Sequence, residues 1–85
     1  MEQFIFSKHA IAQMENRNIS METVLKVLKN PNEIIISGDQ IIYQSIIVLN
    51  NTKEYLVRII VNSIKVPNMV ITVYKTSKIQ KYYEG

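Results

Sequence analysis

The sequence predicts an α+β fold, two N-terminal helices packed on a four-stranded antiparallel β-meander, in a single domain spanning residues 1–85. Three observations predict it. Apolar residues recur at helical spacing only in the first third of the chain, β-branched runs take over from residue 33, and the links between those runs are short. Short links join neighbouring strands as hairpins, because a parallel crossover needs a dozen or more residues.

Phe4–Phe6 is a short apolar opening, and Ser7 is a good N-cap for a helix over Lys8–Asn16, with Ala10, Ile11 and Met14 as its apolar stripe. His9, Gln13 and Arg17 recur at i, i+4 and i+8; at about 100° per residue they lie along one polar edge of that helix. Asn18 closes it. Ser20 caps a second helix over 21–30, with Glu22 well placed in the first turn and Val24, Leu25, Val27 and Leu28 forming a broad buried face; Pro31 stops it. Strands are expected over 33–36, 40–49, 54–61 and 69–76, separated by turns at 37–39, 50–53 and 62–68. In the last strand, alternation puts Val70, Thr72, Tyr74 and Thr76 on one side and Ile71, Val73 and Lys75 on the other. The hydroxyl row runs into Ser77, Lys78 and Lys81, so it ends in donors and positive charge, which suits a phosphate. The tail over 77–83 reads as a last helical turn or two, capped by Ser77, with Ile79, Tyr82 and Tyr83 folding back on the sheet.

A chain of 85 residues buries about two-thirds or less of its unfolded surface, so its margin of stability is small. With no cysteine, neither disulfides nor thiolate metal sites help it fold, and a reducing cytoplasm is the expected location. The start MEQFIFSKHA lacks the pattern of a secretory signal, and no apolar run approaches the roughly 20 residues of a membrane span. Ten Lys and Arg against seven Asp and Glu leave a formal net charge of +3. Its placement says more than its size. From Arg58 to Tyr83 there are five basic residues (Arg58, Lys65, Lys75, Lys78, Lys81) and no acid, which favours a polyanionic partner. RNA or DNA ranks above membrane, because there is no basic amphipathic helix.

His9 is the one histidine, and histidine is the side-chain type that ordinarily exchanges protons near neutral pH. It is therefore the default candidate for general acid–base work; the plainer role is packing or capping. Gln13 and Arg17 on the same helical edge add an amide and a guanidinium that can address a phosphodiester, or Arg17 can tether the helix end to a carbonyl or an acid. Arg58 stands inside the apolar run YLVRIIV, facing the same way as Leu56 and Ile60. An arginine there needs a partner to offset its desolvation. That partner is either Glu15, Glu33 or Glu54, or a ligand phosphate met in bidentate geometry. Tyr74, between Thr72 and Thr76, offers a hydroxyl and a stacking face. Acids spread singly along the chain, with one histidine and no cysteine, do not make a metal site, and no glycine-rich loop exists to cradle a nucleotide. Neither a metal nor a cofactor is expected.

The opening FSKHAIAQMENRNIS over 6–20, LKNPNEII over 28–35, YLVRIIV over 55–61 and ITVYKTSKIQKYY over 71–83 together resemble a bacterial family known as a domain of unknown function, with the opening F-S-x-H-A-x-x-x-M-x-x-R-x-I-S. That family looks related to the metal-independent ribonuclease group that joins barnase, EndoU, colicin and RelE-type toxins, whose layout is N-terminal helices followed by a four-stranded antiparallel sheet. The resemblance implies an RNA-cleaving toxin. It implies His9, Arg58, Tyr74, Thr76 and Lys78 as catalytic residues and Arg17 and Ser77 as RNA contacts, to which the polar helix edge adds Gln13 and the basic C-terminal run adds Lys81, with RNA as substrate and a cognate antitoxin as protein partner. The expected reaction is attack of a ribose 2'-hydroxyl on the adjacent phosphate: His9 acts as base or acid, Arg58 and Lys78 stabilise the phosphorane, and Tyr74 and Thr76 position it. Two other classes stay open. One is binding of nucleic acid through the same face without cutting; the other is an interaction module pairing by a sheet edge, with the uncharged 40–49 segment as its surface. Monomer and homodimer are both compatible with the sequence.

Overall fold

The computed structural model describes residues 3–49 and 52–83. Asn50 and Asn51, read from the sequence as part of a turn, lie outside the described residues. Among the described residues the elements run β1 (Phe4–Phe6), α1 (Lys8–Asn16), α2 (Met21–Lys29), β2 (Glu33–Ser37), β3 (Gln40–Leu49), β4 (Lys53–Asn62), β5 (Asn68–Thr76) and α3 (Ile79–Tyr82). No helix among them is long and apolar enough to cross a membrane.

Both long helices start where their serines direct. The Ser7 hydroxyl accepts from the Ala10 N–H at 3.0 Å, and the Ser20 hydroxyl accepts from the Thr23 N–H at 3.1 Å, each satisfying one orphan donor of a first turn. At the end of α1, Asn18 takes the left-handed conformation (φ 54°), and the N–H groups of Asn18 and Ile19 donate back to the carbonyls of Glu15 and Met14. That closure buries Ile19 beside the helix and turns the chain into α2.

The sheet has five strands in the order β1-β5-β4-β3-β2. The meander from β2 to β5 is antiparallel throughout, as the short links require. The expectation of four antiparallel strands is corrected at the N-terminus: Phe4–Phe6 is a fifth strand, parallel to β5 and in register with residues 68–70, so the sheet is mixed. A crossover of more than sixty residues separates the two partners, and nothing local in the opening tripeptide announces it. A second correction concerns β5. A register shift sets Val61 opposite Val70 while Ile60 is opposite Thr72, so Ile71 is an extra residue, a β-bulge. The bulge moves Val70 onto the same face as Val73 and breaks the predicted alternation that put Val70 with Thr72. Thr72, Tyr74 and Thr76 still share one face, opposite Ile60, Arg58 and Leu56.

The core lies between one face of the sheet and the two long helices. Ala10, Met14, Ile19, Val24, Val27 and Leu28 pack there against Tyr43, Val57, Ile59, Val61, Val70 and Val73. Leu25, predicted to be buried with its neighbours, is 50% exposed, because the stripe that α2 turns inward is narrower than its apolar content. The 40–49 segment is corrected as an edge over its first half: β2 pairs with residues 40–44 of β3, and only 45–49 has β4 alone as a strand partner among the described residues. The opposite face of the sheet, called the distal face below, has only α3 against it among the described residues. Leu56 is fully buried without belonging to the helix-side core.

Candidate functional site on the distal face

Antiparallel register lines up four polar residues in one rung across the distal face. Glu33 is opposite Gln44, Gln44 is opposite Arg58, and Arg58 is opposite Tyr74. All four point away from α1 and α2, because Tyr43, Val57, Ile59 and Val73, their neighbours in sequence, point into the helix-side core. The next rung on one side is Ile35, Ile42, Ile60 and Thr72, and on the other Ile46, Leu56 and Thr76. A charged row thus sits between two largely apolar ones.

The rung is joined by hydrogen bonds. Arg58 Nε donates to Gln44 Oε1 at 2.8 Å, and Arg58 Nη1 donates to the Tyr74 hydroxyl. Gln44 Nε2 donates to Glu33 Oε1 and, at 3.2 Å, to the Tyr82 carbonyl oxygen on α3. The amide orientation of Gln44 is therefore dictated on both sides, with a cation on its oxygen and two acceptors on its nitrogen. Gln44 is 0% exposed, whereas Arg58, Tyr74 and Tyr82 are half-buried. The aromatic rings complete the setting. Arg58 Cζ is 4.5 Å from the Tyr82 ring centroid and 5.6 Å from that of Tyr74, and the two rings meet edge to face at 6.4 Å. A guanidinium with its Nε and one Nη engaged, its plane beside two rings and part of its surface open, is preorganised to receive an anion.

The other predicted site residues fall in three places. Thr76 Oγ1 accepts from the Lys78 N–H at 3.1 Å, which shapes the turn from β5 into α3; Ser77, Lys78 and Lys81 are exposed around that turn, with Lys81 Nζ 5.4 Å from the Tyr82 ring centroid. Ser77 does not cap α3 as expected: Lys78 holds the N-cap position, with no side-chain bond. Gln13 and Arg17 are joined to β5. The Val73 N–H donates to Gln13 Oε1 at 2.9 Å, and Arg17 Nη1 donates to the Val73 carbonyl at 2.9 Å. The polar edge of α1 thus closes the outer edge of β5 beyond the reach of β1. His9 is exposed in the first turn of that helix, in the layer across the sheet from Arg58. Arg58, Tyr74 and the 76–81 turn are brought together; His9 is not joined to them.

Sequence reasoning offered Glu33 as a direct partner of Arg58, whereas Gln44 stands between the two; it missed Gln44 and Tyr82 as members of this network. The signal was there for Gln44: a long amide in the apolar run IIYQSII needs a partner as much as Arg58 does. Among the described residues no buried side-chain nitrogen or oxygen lacks a partner, and no three of His, Asp and Glu gather as metal ligands.

A family model described as a domain of unknown function, DUF4258, matches residues 6–75. The chain belongs to that family. No curated protein and no solved structure gives a significant match. The segment shared with DUF4258 contains His9, Gln13, Arg17 and the whole rung from Glu33 to Tyr74. Thr76, Ser77, Lys78, Lys81 and Tyr82 lie beyond it, so the part of the site supplied by the C-terminal turn is outside the region that defines the DUF4258 match.

Proposed function

We propose that this chain is a metal-independent endoribonuclease, the toxin of a bacterial toxin–antitoxin pair, with its phosphate-binding centre at Arg58 and a cognate antitoxin as its protein partner. The observation that carries the reading is the Arg58–Tyr74 hydrogen bond on the distal face. A cation that can hold a phosphate oxygen and a hydroxyl that can move a proton stand one hydrogen bond apart, with Lys78 and Lys81 on the adjoining turn. The motif resemblance supplies the reaction class.

In the proposed reaction the ribose 2'-oxygen attacks the neighbouring phosphorus, the 2'-proton passes to water, the bond from phosphorus to the 5'-oxygen breaks, and that oxygen takes a proton. The products are a 2',3'-cyclic phosphate and a 5'-hydroxyl. Arg58 and Lys78 offset the negative charge that grows on the phosphorane. The Tyr74 hydroxyl, whose oxygen already accepts from Arg58, has its O–H free to donate and serves as the acid for the leaving oxygen. Thr76 fixes the turn that carries Lys78. With α1 across the sheet, the proton-transfer role first expected of His9 passes to Tyr74 in this scheme.

Cleavage of total RNA in EDTA, with the new ends assayed for cyclic phosphate, tests the reading. Wild-type protein is expected to cut, Arg58→Lys to lose about 100-fold or more in rate, Tyr74→Phe to lose about 10²- to 10⁴-fold, and His9→Ala to stay within a few-fold of wild type. Loss of cutting in His9→Ala with Tyr74→Phe intact would place the reaction elsewhere. Binding of RNA without cutting is the second reading, favoured by the single proton-transfer group beside Arg58; wild-type protein that retains labelled RNA but leaves it whole would establish it.

A further inference from the structure

We infer that Lys53 and Lys75, gathered over the ring of Tyr55, form a second phosphate site, on the helix side of the sheet, for the same nucleic-acid strand that reaches the Arg58 face. The inference rests on the proposal that the chain binds RNA. Lys53 and Tyr55 are two apart on β4 and share a face, and Lys75 on β5 is opposite Val57, the next residue of that face. Tyr55 therefore stands between the two lysines. Each Nζ is 5.5 Å from its ring centroid.

Two like charges drawn to one ring repel each other, and the ring's quadrupole offsets that only in part. No carboxylate among the described residues pairs with either ammonium. Glu54, between Lys53 and Tyr55 in sequence, alternates to the distal face, opposite Val48. Glu15, the acid of the neighbouring α1, is exposed and makes no ion pair with them. Anionic charge beside the pair offsets the repulsion, and the phosphates of a nucleic-acid strand supply it.

A strand, rather than a free ion, follows from what surrounds the pair. Arg17 is bonded to the Val73 carbonyl, two residues before Lys75 on the same strand. Past the end of β5 come Lys78, exposed, and Lys81, whose Nζ lies over the Tyr82 ring that Arg58 also meets. Cations thus pass around one end of β5 from the helix side to the distal face, a track that a single phosphate cannot fill and a phosphodiester chain can. From the sequence, Lys75 counted only as one charge of the basic carboxyl half, and Lys53 and Tyr55 were not marked for function.

The test uses the full chain and a labelled single-stranded 2'-O-methyl oligoribonucleotide, which lacks the attacking hydroxyl, in anisotropy titrations at several salt concentrations. Lys53→Gln with Lys75→Gln is expected to weaken binding about tenfold at low salt and to flatten the plot of log K against log salt by about 1.4, two contacts at about 0.7 each. Lys53→Arg with Lys75→Arg keeps both charges and is expected to keep affinity and slope, and urea midpoints for both double variants report that the fold is intact. Wild-type binding that Arg58→Lys weakens and the double glutamine variant does not would overturn the second site and leave the proposed function standing. Absence of binding by the wild type would overturn both.

Discussion

Gln44 decides how Arg58 is presented. Its side chain is fully buried, and its three bonds tie together a strand cation, an edge-strand acid and the carbonyl of a C-terminal turn. Leucine at 44 keeps the bulk and removes all three bonds, leaving Arg58 Nε and the Tyr82 carbonyl to find water in a half-buried site. The cost expected for leaving buried polar groups without partners is about 1–3 kcal/mol, read as a lower urea midpoint with an unchanged slope. Glutamate at 44 is the sharper test: it keeps an acceptor for Arg58 but sets a carboxylate against Glu33, so Gln44→Glu is expected to be at least as destabilising at neutral pH as Gln44→Leu. Stability of Gln44→Leu equal to wild type would mean that the rung is decoration on an apolar face. At this scale the sequence was half legible. Arg58 stood out because a mid-strand arginine is expensive without a partner. Its direct partner did not: Glu33, 25 residues away, was one of three acids that could have served, but Gln44, 14 residues away, is set between them only by the register.

The spacing of His9, Gln13 and Arg17 was plain from helical periodicity; what the polar edge faces was not. Periodicity says that these side chains share an edge, and it is blind to whether that edge meets a ligand or a backbone. Here it meets the outer edge of β5, where Gln13 and Arg17 satisfy the N–H and C=O of Val73. An unpaired strand edge invites pairing with another chain, and side chains laid along it remove that option. Gln13→Ala is therefore expected to act first on stability, by about 1–2 kcal/mol, and on concentration-dependent self-association seen by light scattering, while RNA affinity changes little. A large loss of affinity at undiminished stability would return Gln13 to the RNA contacts. The two elements that pattern reading did not find fail for related reasons. β1 is three residues long and is held by a strand at the far end of the chain, and the bulge at Ile71 sits in a run, VITVY, whose alternation is unbroken on paper. Neither glycine nor proline marks it.

Across the whole molecule the two faces of the sheet are covered unequally, and the C-terminal turn compensates for the difference. Two helices of nine residues bury the helix face; a four-residue helix is all that the described residues place on the other. That turn brings the Tyr82 ring onto Arg58 and its carbonyl onto Gln44, and among the described residues it is the helix on the face where Leu56 is fully buried. A chain shortened to end at Lys78 is accordingly expected to lose about 2–3 kcal/mol from exposing a leucine-sized apolar surface and a further 1 kcal/mol or so from the bond to Gln44. In a domain whose total stability is of order 5–15 kcal/mol, that is a large share. The measurement is the urea midpoint, with far-UV circular dichroism to show that the helix-side core still forms. The same shortened chain separates two roles of the turn. If Gln44 still orients Arg58 without it, RNA affinity falls only by what Lys81 and the Tyr82 ring contribute, and the rung alone is the phosphate site. If affinity falls to the level of Arg58→Lys, the guanidinium depends on the turn for its orientation, and the site is shared between the region that defines the DUF4258 match and a C-terminal extension outside it.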